Sequence, residues 1–210
     1  MSDLDASTND GSSAPKLYRF VGLVFIWMVP SFALWVPLSA MLAAPAVWLT
    51  NVILTYFLPD VVHELTLNGT QTLLTTHFGE LNSEIVSARL AGYRIAFPFN
   101  TQILTYSLPF YAALSYATPG GDSFGRFARG SLALYVLLIV GLISVSLKSL
   151  MLGLGPVFID GFSTPATIIG ISYQFSTLMV PPLAPVLVWA WQSRHSPLLQ
   201  KLLVKQQDKL

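Results

Sequence analysis

Four long stretches of the chain carry no Asp, Glu, Lys or Arg: residues 20–59, 95–121, 131–147 and 161–193. A helix of about 20 apolar residues crosses the hydrocarbon core of a bilayer, and the first run is long enough for two such crossings. Inside lipid every backbone N–H and C=O must bond within its own segment, so helices are the predicted form. A barrel requires many short alternating segments, and only one region of this chain alternates. The pattern predicts an all-α integral membrane protein with four transmembrane helices. Span one starts at Leu17, span two covers 97–117, span three 131–152 and span four 167–191. Span one holds Pro30 and Pro37, and the spacing of Trp48 and Tyr56 suits an interface. Residues 44–58 are therefore expected to continue the run along or beyond the outer surface, making 17–58 one unit.

Residues 59–95 are the most polar part and form an insert between the first two spans. There Leu65-Thr66-Leu67 and Thr70-Gln71-Thr72 flank Asn68-Gly69, a dipeptide that tolerates the positive φ values of a type I′ turn. A small β-hairpin is predicted, with Leu67 facing Thr70, Leu65 facing Thr72 and His63 facing Leu74 rather than His77. Residues 80–89 are expected to form a short helix returning to the bilayer. Residues 96–192 then make the bundle of the remaining spans. Residues 1–16, rich in Ser, Asp and Asn, read as a disordered tail. In 193–210 the leucines at 198, 199, 202 and 203 share one helix face among lysines, as in a helix lying on a membrane surface.

Charge changes the picture in two ways. Charged residues are 10% of the chain against 53% hydrophobic, where soluble domains carry about 25% charged, so the composition itself argues for lipid. The basic residues are also unevenly placed. With the N-terminus inside, inner segments hold Lys16, Arg19, Arg126, Arg129, Arg194, Lys201, Lys205 and Lys209, eight of the eleven Lys and Arg. Basic residues in short loops stay cytoplasmic, so both ends are predicted inside. The net charge of +1 gives no argument for nucleic acid. There is no Cys, which excludes disulfides, thiolate metal sites and thiol nucleophiles. The first run is too long, and its flank too acidic, for a signal peptide.

Candidate chemistry is sparse. No Walker motif or dinucleotide fingerprint is present, and no cofactor is expected. His63, Glu64, His77, Glu80 and Glu84 offer metal-ligand types on the outer face, but not at zinc-protease spacing, and a solvated loop explains them as well. Lys148 is the one basic residue near membrane depth. Gly141, Ser144 and Lys148 share a helix face, which is either a packing seam with a snorkelling lysine or a surface pairing with an acid of a partner or with Asp160. Span four places Tyr173 and Gln174 with Gly170, Thr177 and Pro181 at helical spacing, and span two places Gln102 with Thr105. Such polar stripes normally join helices. Lys148, Ser144, Gln174, Tyr173 and Gln102 are thus the candidate partner-binding residues.

Two stretches carry a resemblance: RFVGLVFIWMVPSFALWVPLSAMLAAPAVW from Arg19 and GISYQFSTLMVPPLAPVLVWAW from Gly170, with FPFNTQILTYSLPFYAAL from Phe97 between them. In this order they resemble the exosortase H-associated membrane proteins, small bacterial proteins encoded beside exosortase H. The resemblance implies a multi-pass protein of the bacterial inner membrane that acts with a protein-sorting transpeptidase. Exosortases use a Cys with Arg and His, and this chain lacks Cys. The resemblance therefore implies a non-catalytic accessory protein in contact with membrane lipids and with a membrane partner, the exosortase or its substrate. Two other readings stay open. One is a small transporter or channel component, suggested by the polar stripes and Pro-broken helices. The other is a membrane enzyme using the outer His and Glu residues.

Overall fold

A computed structural model of the chain describes residues 14–119, 122–161 and 164–194. Most of the expected basic tail 193–210 and most of the expected polar tail 1–16 lie outside them. The first apolar run is one helix, α1 (Ala14–Phe57), and it begins three residues before the predicted Leu17. Its 44 residues at about 1.5 Å each reach roughly 66 Å, about twice the hydrocarbon thickness. Pro30, Pro37 and Pro45 lie inside it. Each removes one backbone donor but leaves the helix continuous, as membrane helices allow.

The insert is richer in strand than predicted. β1 (Val62–Asn68) pairs antiparallel with β2 (Gln71–Thr76). The hairpin exists, but Leu67 faces Thr72 and Leu65 faces Leu74, two positions from the expected register. Positive φ falls on Gly69 and not on Asn68, so Gly69-Thr70 forms the loop. Glycine at the first loop position is the type II′ pattern, which competes with the type I′ turn that Asn-Gly suggests. The predicted helix 80–89 is instead a second hairpin of β3 (Phe78–Leu81) and β4 (Glu84–Ser87), followed by the single turn α2 (Ala88–Ala91). Asn82 and Ser83 both take positive φ, 55° and 67°, which closes a two-residue turn of the I′ kind.

The second span also departs from expectation. Its start is β5 (Ala96–Asn100), which joins the sheet in the order β1-β2-β5. Pro98 explains this: proline biases the residue before it toward extended geometry and is tolerated on an edge strand. The helical part follows as α3 (Gln102–Thr105) and the 11-residue α4 (Ser107–Ala117). Then come α5 (Ser123–Leu154), the short α6 (Pro156–Gly161), α7 (Ala166–Gln174), a π-helical turn (Phe175–Met179) and α8 (Val180–Ser193). Three helical stretches are long and apolar enough to cross a membrane: Tyr18–Phe57, Ser123–Leu154 and Ala166–Ser193. The molecule is therefore a mostly helical membrane protein with a small β-rich insert.

The main core joins the two parts. Ala43, Val47 and Leu54 of α1 pack with Val62, Leu65 and Leu74 of the sheet and with Leu142, Leu150 and Leu154 of α5. The Asn51 side chain accepts from the Leu65 N–H at 2.7 Å, fixing the far half of α1 to the sheet. At the other end, Phe20 of α1 stacks on Trp189 of α8 at 5.3 Å. The Trp189 indole donates to Thr118 just after α4 at 2.6 Å.

Candidate partner-binding seam

The seam lies between α5 and the α7–α8 helix. A run of Pro181, Pro182 and Pro185 follows the π turn. Prolines cannot donate to the carbonyls four residues back, and the helix widens just before them: the Val180 N–H bonds to the Phe175 carbonyl, five residues earlier. Such single π turns recur at functional sites. This one carries Ser176, which donates to Ser144 of α5 at 3.3 Å, while Ser144 donates to the Val140 carbonyl at 2.9 Å. Both serines are buried, and bonding them across the seam avoids leaving hydroxyls unpaired in an apolar medium.

One turn along α5, the Lys148 ammonium sits 4.4 Å from the centre of the Tyr173 ring. A cation over an aromatic face is held by the ring quadrupole. Among the described residues the ion pair is Arg129 with Asp122; Lys148 is directed to Tyr173 and not to Asp160. Gln174, next in sequence, is exposed. Between α5 and α7, beside Ser144 and Ser172, lies a cavity of about 230 Å³. Ser144, Lys148 and Tyr173 of the five candidate residues lie on this seam, and Gln174 is exposed next to Tyr173 in sequence. Gln102 does not join them: its amide donates to Ser39 of α1 at 3.3 Å and serves internal packing.

Sequence reasoning missed two arrangements. Where α5 begins and α8 ends, Tyr111 donates to the Arg126 carbonyl at 2.9 Å. With its amide nitrogen facing that hydroxyl, Gln192 donates to Tyr111 at 2.9 Å and accepts from the Gly130 N–H at 3.0 Å. The Arg126 guanidinium donates to the Thr118 carbonyl at 2.9 Å, satisfying a group at the end of α4 that a helix terminus leaves unbonded. These partners are up to 81 residues apart, so no local spacing could reveal them. Second, an apolar lateral groove of about 430 Å³ opens between α1, α4 and α5, lined by Trp27, Pro30, Trp35, Leu108 and Tyr135.

The insert corrects a further expectation. His63 and His77 come together, with ring centres 5.0 Å apart. Glu80 and Glu84 lie on the β3–β4 hairpin, and among the described residues no three His, Asp or Glu side chains gather closely enough to hold a metal.

With this geometry in hand, comparison with known proteins gives one finding. A family model described as "Exosortase H-associated membrane protein" matches residues 14–196, most of the chain. No curated protein and no solved structure matches it.

Proposed function

The chain belongs to the exosortase H-associated membrane proteins, and from that membership we propose that it is a non-catalytic accessory subunit of the bacterial inner membrane. Its partner in this reading is an exosortase-type sorting transpeptidase or that enzyme's substrate. The single observation that carries the reading is Gln174. It is exposed on the long apolar helix of the fourth span, next in sequence to Tyr173 of the Lys148–Tyr173 pair. An amide facing lipid is costly, and membrane helices cover such groups by bonding across to a neighbour. The α5–α7 face is thus the proposed docking surface for a partner helix. The apolar groove by Trp35 suits acyl chains better than a hydrophilic substrate, which favours this reading over a transporter.

Topology belongs to the same proposal. Both termini lie inside, and α3–α4 serves as a short fourth crossing. Alternating helix directions support it, because the end of α4, the start of α5 and the end of α8 meet at Thr118, Arg126 and Trp189. The chain has no Cys, so single introduced thiols report cleanly. A Glu84→Cys thiol is expected to react with an impermeant maleimide in spheroplasts, and an Arg129→Cys thiol only after lysis; the opposite pattern reverses the topology.

The test of function is co-purification in mild detergent with quantitative mass spectrometry. Exosortase enrichment with the natural chain, reduced severalfold by Gln174→Leu with Lys148→Met, is the expected result. Enrichment unaffected by that pair moves the interface elsewhere. No enrichment with the natural chain rejects the accessory role.

A further inference from the structure

The sheet fixes how much of α1 stands clear of the hydrocarbon. Just past α1, the Val62 N–H donates to the Leu58 carbonyl at 2.9 Å. Three residues later the Leu65 N–H donates to the Asn51 side chain at 2.7 Å. Three strand steps of about 3.3 Å match seven helix steps of about 1.5 Å. β1 therefore runs back alongside α1, and three more residues bring its end, Asn68, level with about Ala44. The exposed face of this sheet carries Glu64, Thr66, Asn68 and Gln71. A carboxylate and an open strand edge do not lie against lipid tails, so α1 from about Ala44 to Phe57 stands outside the hydrocarbon. The part of α1 before it is about 45 Å long, more than a crossing needs.

This segment has no charged residue. Its inward face, with Ala46, Val47, Thr50 and Leu54, is buried. On the other face Trp48, Val52 and Tyr56 recur every fourth residue, joined by Leu49 and Phe57, and all five are exposed. Residues four apart share a helix face, so they form one stripe. Trp48 is 67% exposed and Tyr56 77%. The headgroup layer is about 5–8 Å deep and reaches Trp48, whereas Tyr56 lies about 18 Å beyond the level of Ala44. Lipid therefore covers the foot of the stripe and not its top. A contiguous apolar patch facing water marks a protein–protein contact.

We propose that this stripe pairs with the same stripe of a second copy of the chain. Copies inserted in one membrane share height and direction, so a two-fold axis along the bilayer normal sets Trp48, Val52 and Tyr56 against their own counterparts. Such an axis also opposes like charges wherever charges lie beside it, and this part of α1 has none. The area suffices. Aromatic side chains bury about 150–250 Å² each, and at their exposures the five side chains present about 500 Å² per copy, about 1,000 Å² for the pair, where specific interfaces begin. The contact uses α1 and does not rest on the α5–α7 docking face.

The test uses the full chain, whose lack of Cys lets single thiols report the contact. In native membranes a short bifunctional maleimide should join Val52→Cys chains, and Tyr56→Cys chains, into dimers, and should leave Glu64→Cys chains single. In detergent micelles, light scattering on the natural chain should give two chains per particle. Trp48→Ala with Tyr56→Ala should weaken pairing at least about tenfold, with hydrogen-exchange protection of β1 and β2 unchanged to show that the variant is folded. The Val52→Cys cross-link, on an otherwise natural stripe, does not depend on that variant. Single chains in both settings overturn the pairing, as do Glu64→Cys dimers as abundant as those of Val52→Cys. A Val52→Cys thiol that joins only a different co-purified protein assigns the stripe to that protein. A nitroxide there that meets lipid-borne oxygen more than an aqueous nickel chelate assigns it to lipid. Either result overturns the proposal.

Discussion

α1 and α5 are both long, proline-tolerant or glycine-bearing, and free of charge along their middles. Yet 6% of the most apolar stretch of α1 is buried within the protein, against 44% of that of α5. In water this difference would be untenable, because an exposed apolar helix would have to find cover. In a bilayer the lipid tails provide that cover, and helix association depends on close packing rather than on escape from solvent. Hydropathy therefore identifies both helices but does not rank them. Fit against neighbours ranks them. α5 places Gly130 against Tyr111, Gly141 against Leu104 and Gly153 against Phe97, whereas Gly22 of α1 has no neighbour within 4 Å.

The comparison can be broken most sharply at a buried leucine. Leu142 of α5 is 0% exposed, and Val29 of α1 is 72% exposed. Leu142→Ala should destabilise the protein by about 2–5 kcal/mol through the cavity it leaves, while Val29→Ala should stay within about 0.5 kcal/mol. Thermal unfolding of both variants in one detergent measures the gap; equal losses would mean that α1 packs as tightly as α5.

The glycines give the next largest effect. A Cβ at Gly130 would overlap the Tyr111 ring and hydroxyl, whose own bonds to Arg126 and Gln192 hold it in place. Gly130→Ala should cost about 1–3 kcal/mol. Gly22→Ala should be neutral or stabilising by up to about 1 kcal/mol, since a helix interior favours alanine. The same unfolding assay decides, and opposite signs for the two substitutions are the expected outcome.

A smaller effect tests the far half of α1, where the comparison narrows because the helix meets the sheet. Asn51→Ala removes the acceptor for the Leu65 N–H and should cost about 1 kcal/mol. Hydrogen exchange at Leu65 is the direct readout; unchanged protection there would show that the bond contributes little to docking the sheet.

The smallest effect is set by pH and confined to the insert. His77 is held below its ordinary value of 6.5 in the folded chain, so the unfolded chain takes up a proton more readily. The stability this difference provides is present above that ordinary value and is lost as pH falls through it. Exchange protection along β1 and β2 should therefore decline below about pH 6.5, and His77→Gln should flatten the profile. The α1–α5 contacts should not respond, since no histidine lies among them.

Particular residues show how much could be read in advance. Asn68-Gly69 marked a hairpin, but turn type depends on which of two adjacent residues takes positive φ, and that is decided when the strands dock. Residues 96–100 looked like the start of a span because Phe-Pro-Phe is apolar. Their strand form depends on an open edge at β2, which lies outside the local sequence. Lys148 and Ser144 were visible as one helix face, and Tyr173 and Gln174 as another. That Lys148 meets Tyr173 depends on how α7 docks on α5, and that Ser144 meets Ser176 depends on the π turn ahead of Pro181 and Pro182. The His63–His77 pair was hidden for a related reason: a bulge of one residue changes every partner beyond it.

By itself the sequence determined the solvent. Uncharged runs of this length prefer lipid, a polar insert separates the first two, and the order of these segments places the chain in its family. Tertiary structure decided which of those runs is central, that the second begins as a strand, and which polar groups meet. The physical reason is range. Partition into lipid sums over each segment alone, whereas close approach, strand register and hydrogen-bond pairing depend on the shape of residues far away in the chain.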